Sequence, residues 1–419
     1  MLDFEAALAR AEASVGIIPG GAADTIARCC RAEEFDLTTL AAAAHDAGNL
    51  AIPLVSLLTE RVARAQPGAQ GYVHWGATSQ DVLDTGLVLQ FRDALALIDR
   101  SIARLGNAVA RQAALHRATL LAGRTWLQQA LPVTLGLKLA MTLAAIDRHR
   151  RRLVAVRERV LVLQFGGAAG TLASLGGDGT AVEAALAKNL ALAIPAAPWH
   201  TQRDNLCEVA TVLGLIAATL GKLARDVALL AQTEVGEAFE PAKAGRGGSS
   251  TMPQKRNPVG ASVAIAASVR VPGLVATMLT AAVQEHERGL GNWPAEWDTL
   301  PEIAMLTGGA LDAMASVVDG IEIDAVRMRT NLELSQGQIL AEAAQMALAP
   351  ALGRDVAHEV VAIASRRALK DGRHLRDVLA DEPRVTAVID RSALARLFDP
   401  QSYLGSANAF IDRALARRD

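Results

Sequence analysis

Aromatic residues and cysteines are scarce in this 419-residue chain. Aromatic side chains make up 3% of it, although hydrophobic residues as a whole make up 51%. The core must therefore be built from Ala, Leu and Val, which favours closely packed helices. The three cysteines, Cys29, Cys30 and Cys207, are odd in number, and the adjacent pair is poorly placed to form a disulfide. This usage predicts a reduced, cytoplasmic protein.

A strong charge bias is missing as well. The formal net charge is −2, and both signs are spread along the chain, so we expect neither a nucleic-acid partner nor a membrane partner. No signal peptide is visible, because the first residues are acidic and enter a helical pattern at once. The most apolar long run, residues 259–283, is interrupted by Arg270 and Pro272, which favours a buried bundle helix over a membrane span.

Several common catalytic motifs are also absent. The sequence has no Walker loop, no CxxC, no GxSxG and no GxGxxG after a strand, so nucleotide, redox and acyl-serine chemistry lack support. Its histidines, cysteines and carboxylates do not follow a recognised zinc spacing, and we predict no metal.

What the chain does have is helical periodicity. Apolar residues from Leu213 to Leu230 alternate spacings of three and four, as in a bundle seam, and similar patterns predict long helices over about 132–164 and 85–116. Alternating β patterns are not seen. The fold class predicted is all-α, with a central bundle of very long helices that other subunits often complete. Shorter helices on either side divide the chain into residues 1–78, 79–320 and 321–419.

The segment 244–258 is the most informative motif. Its residues 247–258 contain two glycines, three hydroxyl residues and two prolines beside Lys255 and Asn257, which excludes a regular helix or core strand. Ser249 could act as a base if glycine-rich backbone amides and an ammonium stabilise its alkoxide. Lys255 and Asn257 could together hold a substrate carboxylate that gains charge when a neighbouring carbon is deprotonated. The alternative is a polar linker between helices.

Four further clusters could bind a small polyanion. Residues 74–81 present Thr78 and Ser79 at the start of a predicted helix, where they could hold an anion or simply cap the helix. Residues 123–129 place Arg124 beside Trp126, which suits a pocket but also a surface Arg and a packing Trp. Residues 199–204 and 284–288 each hold a histidine among charges, and such histidines are more often structural than catalytic.

These motifs, in this order, resemble the three conserved regions of the fumarase/aspartase superfamily, and the resemblance covers almost the whole chain. Within it they are most similar to the bacterial carboxymuconate cycloisomerases, which form a γ-lactone during protocatechuate breakdown. The resemblance implies a homotetramer with active sites shared between subunits, a small polycarboxylate substrate and no metal or organic cofactor. It implies Ser249 as the general base, with Lys255 and Asn257 on a substrate carboxylate. The other expected substrate-binding residues are His74, Thr78, Ser79, Arg124, Thr125, Trp126, Gln128, His200, Arg203, Ser250, Met252 and Arg288.

Two departures from the lyase pattern narrow the expected reaction. Lyases of the superfamily usually carry a histidine where this chain has Trp126, and adenylosuccinate lyases carry Lys-His-Asp where it has residues 47–49, Ala-Gly-Asn. An amine leaving group needs a general acid, whereas a carboxylate leaves as a stable anion near neutral pH. We therefore predict a cycloisomerase. The alternatives are an amine-releasing lyase, a cycloisomerase for a related polycarboxylate, and a non-catalytic homologue.

Overall fold

The computed structural model describes residues 1–242, 247–248, 252 and 254–417. Helices dominate these residues, which confirms the predicted all-α class. In chain order the helices are α1 Leu2–Val15, α2 Gly20–Cys29, α3 Leu37–Ala47, α4 Ala51–Ala65, α5 Ser79–Leu115, α6 Leu135–Val160, α7 Gly179–Leu190, α8 Asp204–Leu230, α9 Val259–Ala281, α10 Asn292–Asp319, α11 Ala325–Glu333, α12 Ala341–Leu352, α13 Arg354–Asp371, α14 Leu375–Ala380, α15 Pro383–Thr386, α16 Arg391–Leu397 and α17 Ala407–Ala416.

The long helices lie where the apolar periodicity predicted them. Helix α5 has 37 residues, about 55 Å at 1.5 Å per residue, and α8 contains the predicted seam. Helix α6 has 26 residues and is shorter than the predicted 132–164. It begins later because residues 128–134 form a strand, and it ends at Val160.

Short strands, which the sequence did not predict, interrupt the helices. Strands β1 Leu120–Thr125 and β2 Gln128–Thr134 form an antiparallel hairpin, and β3 Ala238–Phe239 pairs antiparallel with β4 Glu322–Ile323. Trp126 and Leu127 connect β1 to β2 with φ of 53° and 63°, the left-handed geometry of a two-residue hairpin turn. These short strands leave the all-α class unchanged. Residues 120–122 at the start of β1 are all buried, and Leu120 and Ala122 cluster with Leu332 of α11, so no alternation marks the strand.

The chain divides into two compact units, each assembled from three segments. Unit 1 consists of Met1–Arg100, Arg151–Leu215 and Arg270–Gly308, and unit 2 of Ser101–Arg150, Ile216–Val269 and Gly309–Asp419. Unit 1 contains an apolar cluster around Ile26, Leu58 and Val62, and unit 2 contains one around Val360 and Leu379. The division into 1–78, 79–320 and 321–419 stays a prediction.

Two described helices, α8 and α9, are long and apolar enough to cross a membrane by length and composition alone. In α8 61% of the most apolar window is buried, as in a core helix, whereas in α9 the buried share is 28%. Val263, Val269 and Leu279 of α9 are exposed. The prediction of a buried helix over 259–283 is therefore wrong for the isolated chain, because much of its apolar surface faces outward.

Candidate active site

The first motif surrounds the N-terminus of α5, and Asp81 organises it. Its buried carboxylate accepts hydrogen bonds from the Thr78 backbone N–H at 3.0 Å and from the Gly166 and Gly167 N–H groups at 3.0 and 2.9 Å. It also lies 2.7 Å from Nε2 of His200. The contact with Thr78 is one half of a capping box, so the capping role considered from the sequence is present. Asp81 thereby fixes His200, which is buried, beside the start of α5.

Gln80 links the same helix terminus to Arg288. Its side-chain amide donates to the His200 carbonyl at 2.7 Å, and its oxygen accepts from Nε of Arg288 at 3.0 Å. Arg288 also donates to the carbonyl of Ala168 at 3.1 Å. Both acceptors are neutral, so these contacts orient the guanidinium without neutralising its charge.

Arg203 takes a different position from the one expected of a substrate-binding residue. Its side chain is 1% exposed and donates to Asp84 at 2.7 and 2.9 Å and to Glu296 at 2.6 to 3.1 Å. Burial opposes the charge of Arg203, but the two carboxylates outweigh it and raise the arginine pKa. Burial also raises the pKa of Glu296, against the attraction of Arg203. Protein carboxylates thus occupy the donors of Arg203, and its role in substrate binding stays a prediction.

His74 forms a partly buried pair with a carboxylate of α1. Its Nδ1 lies 2.7 Å from Oε1 of Glu5, and its backbone has a φ of 58°. Burial lowers the His74 pKa, yet the hydrogen bond and the charge of Glu5 overcome this and leave the pKa above the ordinary value of 6.5. The contact with Glu5 therefore stabilises the imidazolium form, the form that binds an anion.

The second motif lies in unit 2, on the β1–β2 hairpin. Arg124 donates to both oxygens of Glu237, at 3.0 and 2.6 Å, and the buried Glu237 also accepts from Asn331 at 2.7 Å. The guanidinium fork of Arg124 is thus held by a protein carboxylate, and its expected role in substrate binding stays a prediction. Thr125, Trp126 and Gln128 lie around the hairpin turn, and Trp126 is 98% exposed.

The third motif is described in part. Ser249 and Ser250 lie outside the described residues, whereas Met252, Lys255 and Asn257 lie within them. The Lys255 N–H donates to the Met252 carbonyl at 3.1 Å, and the Asn257 N–H donates to the Gly247 carbonyl at 2.8 Å. The described parts are neither helix nor strand, as predicted, and α9 begins two residues after Asn257. The Lys255 side chain is exposed and Asn257 is half-buried.

Carboxylates that the sequence reasoning did not select hold these motifs in place. Glu240 accepts from the Gly260 and Ala261 N–H groups at 3.0 and 2.7 Å and so caps α9, while Glu237 holds the hairpin. The sequence placed Gln80 and Asp81 at a helix N-terminus and did not select them as site residues. The local signal for Glu237 and Glu240 is weak: two carboxylates flank an apolar pair, Ala238 and Phe239.

The structure therefore gathers the predicted residues into two groups. Unit 1 holds His74, Thr78, Ser79, His200, Arg203 and Arg288, and unit 2 holds Arg124, Thr125, Trp126, Gln128, Met252, Lys255 and Asn257. Their catalytic and substrate-binding roles stay predictions. Within the described part of the chain, no group of three or more His, Cys, Asp or Glu side chains could hold a metal ion.

Comparisons with known proteins agree with the motif order. Residues 1–273 match the lyase family, and residues 337–414 match the family described as adenylosuccinate lyase C-terminus. The 3-carboxy-cis,cis-muconate cycloisomerase of Pseudomonas aeruginosa is 58% identical over 99% of this chain and 91% of its own.

Solved structures give the same relationship. The 3-carboxy-cis,cis-muconate lactonizing enzyme of Pseudomonas putida superposes with a TM-score of 0.94 at 54% identity, covering 99% of this chain and 92% of that one. The β-carboxy-cis,cis-muconate cycloisomerase of Acinetobacter calcoaceticus also has a TM-score of 0.94, at 45% identity, covering 100% of this chain and 94% of that one. The chain belongs to the lyase family of the fumarase/aspartase superfamily.

Proposed function

We propose that this chain is a cycloisomerase that interconverts 3-carboxy-cis,cis-muconate and its carboxymuconolactone in protocatechuate breakdown. The observation that carries this proposal is the 58% identity, over 99% of the chain, with an enzyme of that name. The three motifs supply the groups that such a reaction needs: a proton donor at carbon, a clamp for a carboxylate, and cations for a polyanion.

In the lactonising direction one substrate carboxylate adds to the diene. Its oxygen forms a bond to an alkene carbon, and the adjacent carbon accepts a proton, which we assign to Ser249. In the reverse direction Ser249 removes that proton, the electrons move toward the neighbouring carboxylate, and the ring C–O bond breaks. Lys255 and Asn257 stabilise the charge that develops on that carboxylate.

The group released on ring opening explains why this site can lack a histidine at position 126. A free carboxylate has a pKa of about 4 and leaves without a proton, whereas an amine leaves only when a general acid protonates it. Trp126 at the hairpin turn cannot supply such a proton. The residues present thus favour carboxylate release over amine release.

Unit 1 supplies the groups for the remaining substrate carboxylates. Glu5 stabilises the cationic form of His74, and Arg288 donates to two neutral oxygens, those of the Gln80 side chain and the Ala168 carbonyl, which do not neutralise its charge. Thr78 and Ser79 lie at the N-terminus of α5, where the helix dipole favours an anion. Arg124 and Arg203 already contact protein carboxylates, those of Glu237, Asp84 and Glu296.

We further propose that the enzyme is a cytoplasmic homotetramer whose active sites combine residues of several subunits. The exposed apolar side chains of α9 support association, since a soluble helix with this composition is stable when another surface covers it.

Light scattering coupled to size-exclusion chromatography measures the mass of the assembly. Mixing a Ser249→Ala chain with a His74→Ala chain tests sharing, because hybrid oligomers would regain activity; a monomer, or no regain, contradicts the proposal.

Loss of diene absorbance after mixing the purified protein with 3-carboxy-cis,cis-muconate tests the reaction. Ser249→Ala should abolish turnover while the melting curve stays that of the wild type; near-normal kcat would contradict the assignment of Ser249 as the base.

The C-terminal match to adenylosuccinate lyase favours a second candidate, an amine-releasing lyase. Turnover of adenylosuccinate, with no change in the muconate, would favour that candidate.

A further inference from the structure

Glu322 connects the chain just before residues 244–258, called the signature segment, with a residue near the end of that segment. It lies on β4, opposite Phe239 of β3, and the chain passes from β3 into the segment within a few residues. Oε1 of Glu322 accepts from the Ala242 backbone N–H at 2.9 Å, and Oε2 lies 2.9 Å from Nη2 of Arg256. One carboxylate thus contacts the residue that enters the segment and a residue near its end.

Arg256 is fixed by more than this ion pair. Its Nη2 also donates to the Glu240 carbonyl at 2.7 Å, and its guanidinium lies 5.0 Å from the centre of the Phe239 ring. Charge, hydrogen bond and cation–π contact act on one planar group, which leaves it little rotational freedom. The chain direction on both sides of Arg256 is therefore set from the β3–β4 pair.

We propose that Glu322 and Arg256 are positioning residues that hold Lys255 and Asn257 in register with the substrate carboxylate. This inference rests on the proposed function, which gives Lys255 and Asn257 their ligand. The two residues are the immediate neighbours of Arg256, so a shift of its backbone moves both. A misplacement of about 1 Å at such a clamp lowers turnover by about 100-fold.

The electrostatics of Glu322 suit this role. The Ala242 N–H and then the side-chain hydrogen bond from Arg256 lower the Glu322 pKa below its ordinary value, so the carboxylate is ionised near neutral pH. An ionised carboxylate accepts both contacts at once, whereas a protonated one would lose part of the pairing.

Kinetics of five variants, one of them a control, test the inference. Glu322→Ala and Arg256→Ala should each lower kcat by about 10- to 100-fold, and the double variant should be no worse than the poorer single one. Glu322→Gln keeps an acceptor for Ala242 and should recover part of the loss. Asp381→Ala is the matched control: its ion pair with Arg373 is 2.7 Å long and similarly exposed, with side chains 39% and 44% accessible against 42% and 45%. It should leave kcat unchanged.

Amide hydrogen exchange gives a measurement that does not need substrate. In Glu322→Ala the amides of Ala242 and Asn257 should exchange faster while those of α8 stay protected; in Asp381→Ala neither amide should change. If the wild type does not turn over the muconate, the proposed function is contradicted. The exchange rates of the Ala242 and Asn257 amides still test whether Glu322 holds the segment in place. Unchanged exchange, or a wild-type kcat in Glu322→Ala, overturns the inference.

Discussion

The guanidinium of Arg203 meets the carboxylate of Asp84 in a two-pronged ion pair, at 2.7 and 2.9 Å, in the interior of unit 1. Glu296 completes the set on the other side. Arg203→Met would leave two buried carboxylates without their cation, so we expect a loss of about 3–5 kcal/mol in the free energy of unfolding. Urea denaturation at pH 7 measures it. Arg373→Ala, at an exposed pair, should change stability by less than about 1 kcal/mol; equal midpoints for the two variants would contradict the prediction.

Glu12 should make the protein less stable as the pH rises. Its carboxyl group is buried, neither oxygen has a partner among the described residues, and burial, followed by Glu5, raises its pKa from 4.5 to about 9. The unfolded chain releases this proton near pH 4.5 and the folded chain near 9, so stability falls between those values. Glu12→Gln should make the free energy of unfolding depend less on pH. At pH 8 it should stabilise the protein by about a few kcal/mol, as expected when a proton bound in the folded state is no longer needed.

Melting temperatures of the wild type and Glu12→Gln at pH 5, 7 and 8.5 measure this difference. The gap between the two proteins should widen with pH. Parallel curves would mean that Glu12 ionises in the folded state at its ordinary pKa.

Glu5→Gln should lower the pKa of His74, because it removes the carboxylate that raises this pKa against the effect of burial. The folded pKa is raised, so the pair's contribution to stability is complete below the unfolded pKa and is lost as the pH rises through the folded pKa. Proton NMR of the imidazole measures the shift. The His116 pKa, which burial alone lowers, is the internal control and should not move.

The same substitution should move the alkaline limb of the kcat/KM profile to lower pH, since the imidazolium would be lost earlier. An unchanged profile, together with a lowered His74 pKa, would show that His74 does not bind the substrate as a cation.

Two neighbouring glycines of the signature segment should differ in their tolerance to substitution. Gly247 has a φ of 71°, and a Cβ there would lie 2.6 Å from the Asn257 carbonyl oxygen, whereas a Cβ on Gly248 would meet none of the described residues within 4 Å. Gly247→Ala must adopt a left-handed conformation, at about 1 kcal/mol, and also displace Asn257. We expect kcat to fall by about tenfold or more in Gly247→Ala and to stay within about threefold in Gly248→Ala. Similar rates for both variants would contradict this account.

The sequence predicted what depends on local periodicity and did not reveal partners that are distant along the chain. Helices α5 and α8 follow from apolar spacing, which is a property of the segment itself. In the sequence, Arg203 and Arg124 look like anion-binding residues, because the carboxylates that they contact are far away along the chain. Those of Arg203 lie 119 and 93 residues away, and that of Arg124 lies 113 residues away. Local patterns carry no information about such pairs. The hairpin was missed because the buried start of β1 lacks alternation.

Helix α9 buries just 28% of its most apolar window within its own chain. If other copies cover the rest, folding and association are one equilibrium, and mass action applies to both. The melting temperature would then rise with protein concentration, and strong dilution would inactivate the enzyme by releasing subunits rather than by damaging the site. Substitutions on the outer side of α9, such as Val269→Asp, would act in the same way as dilution.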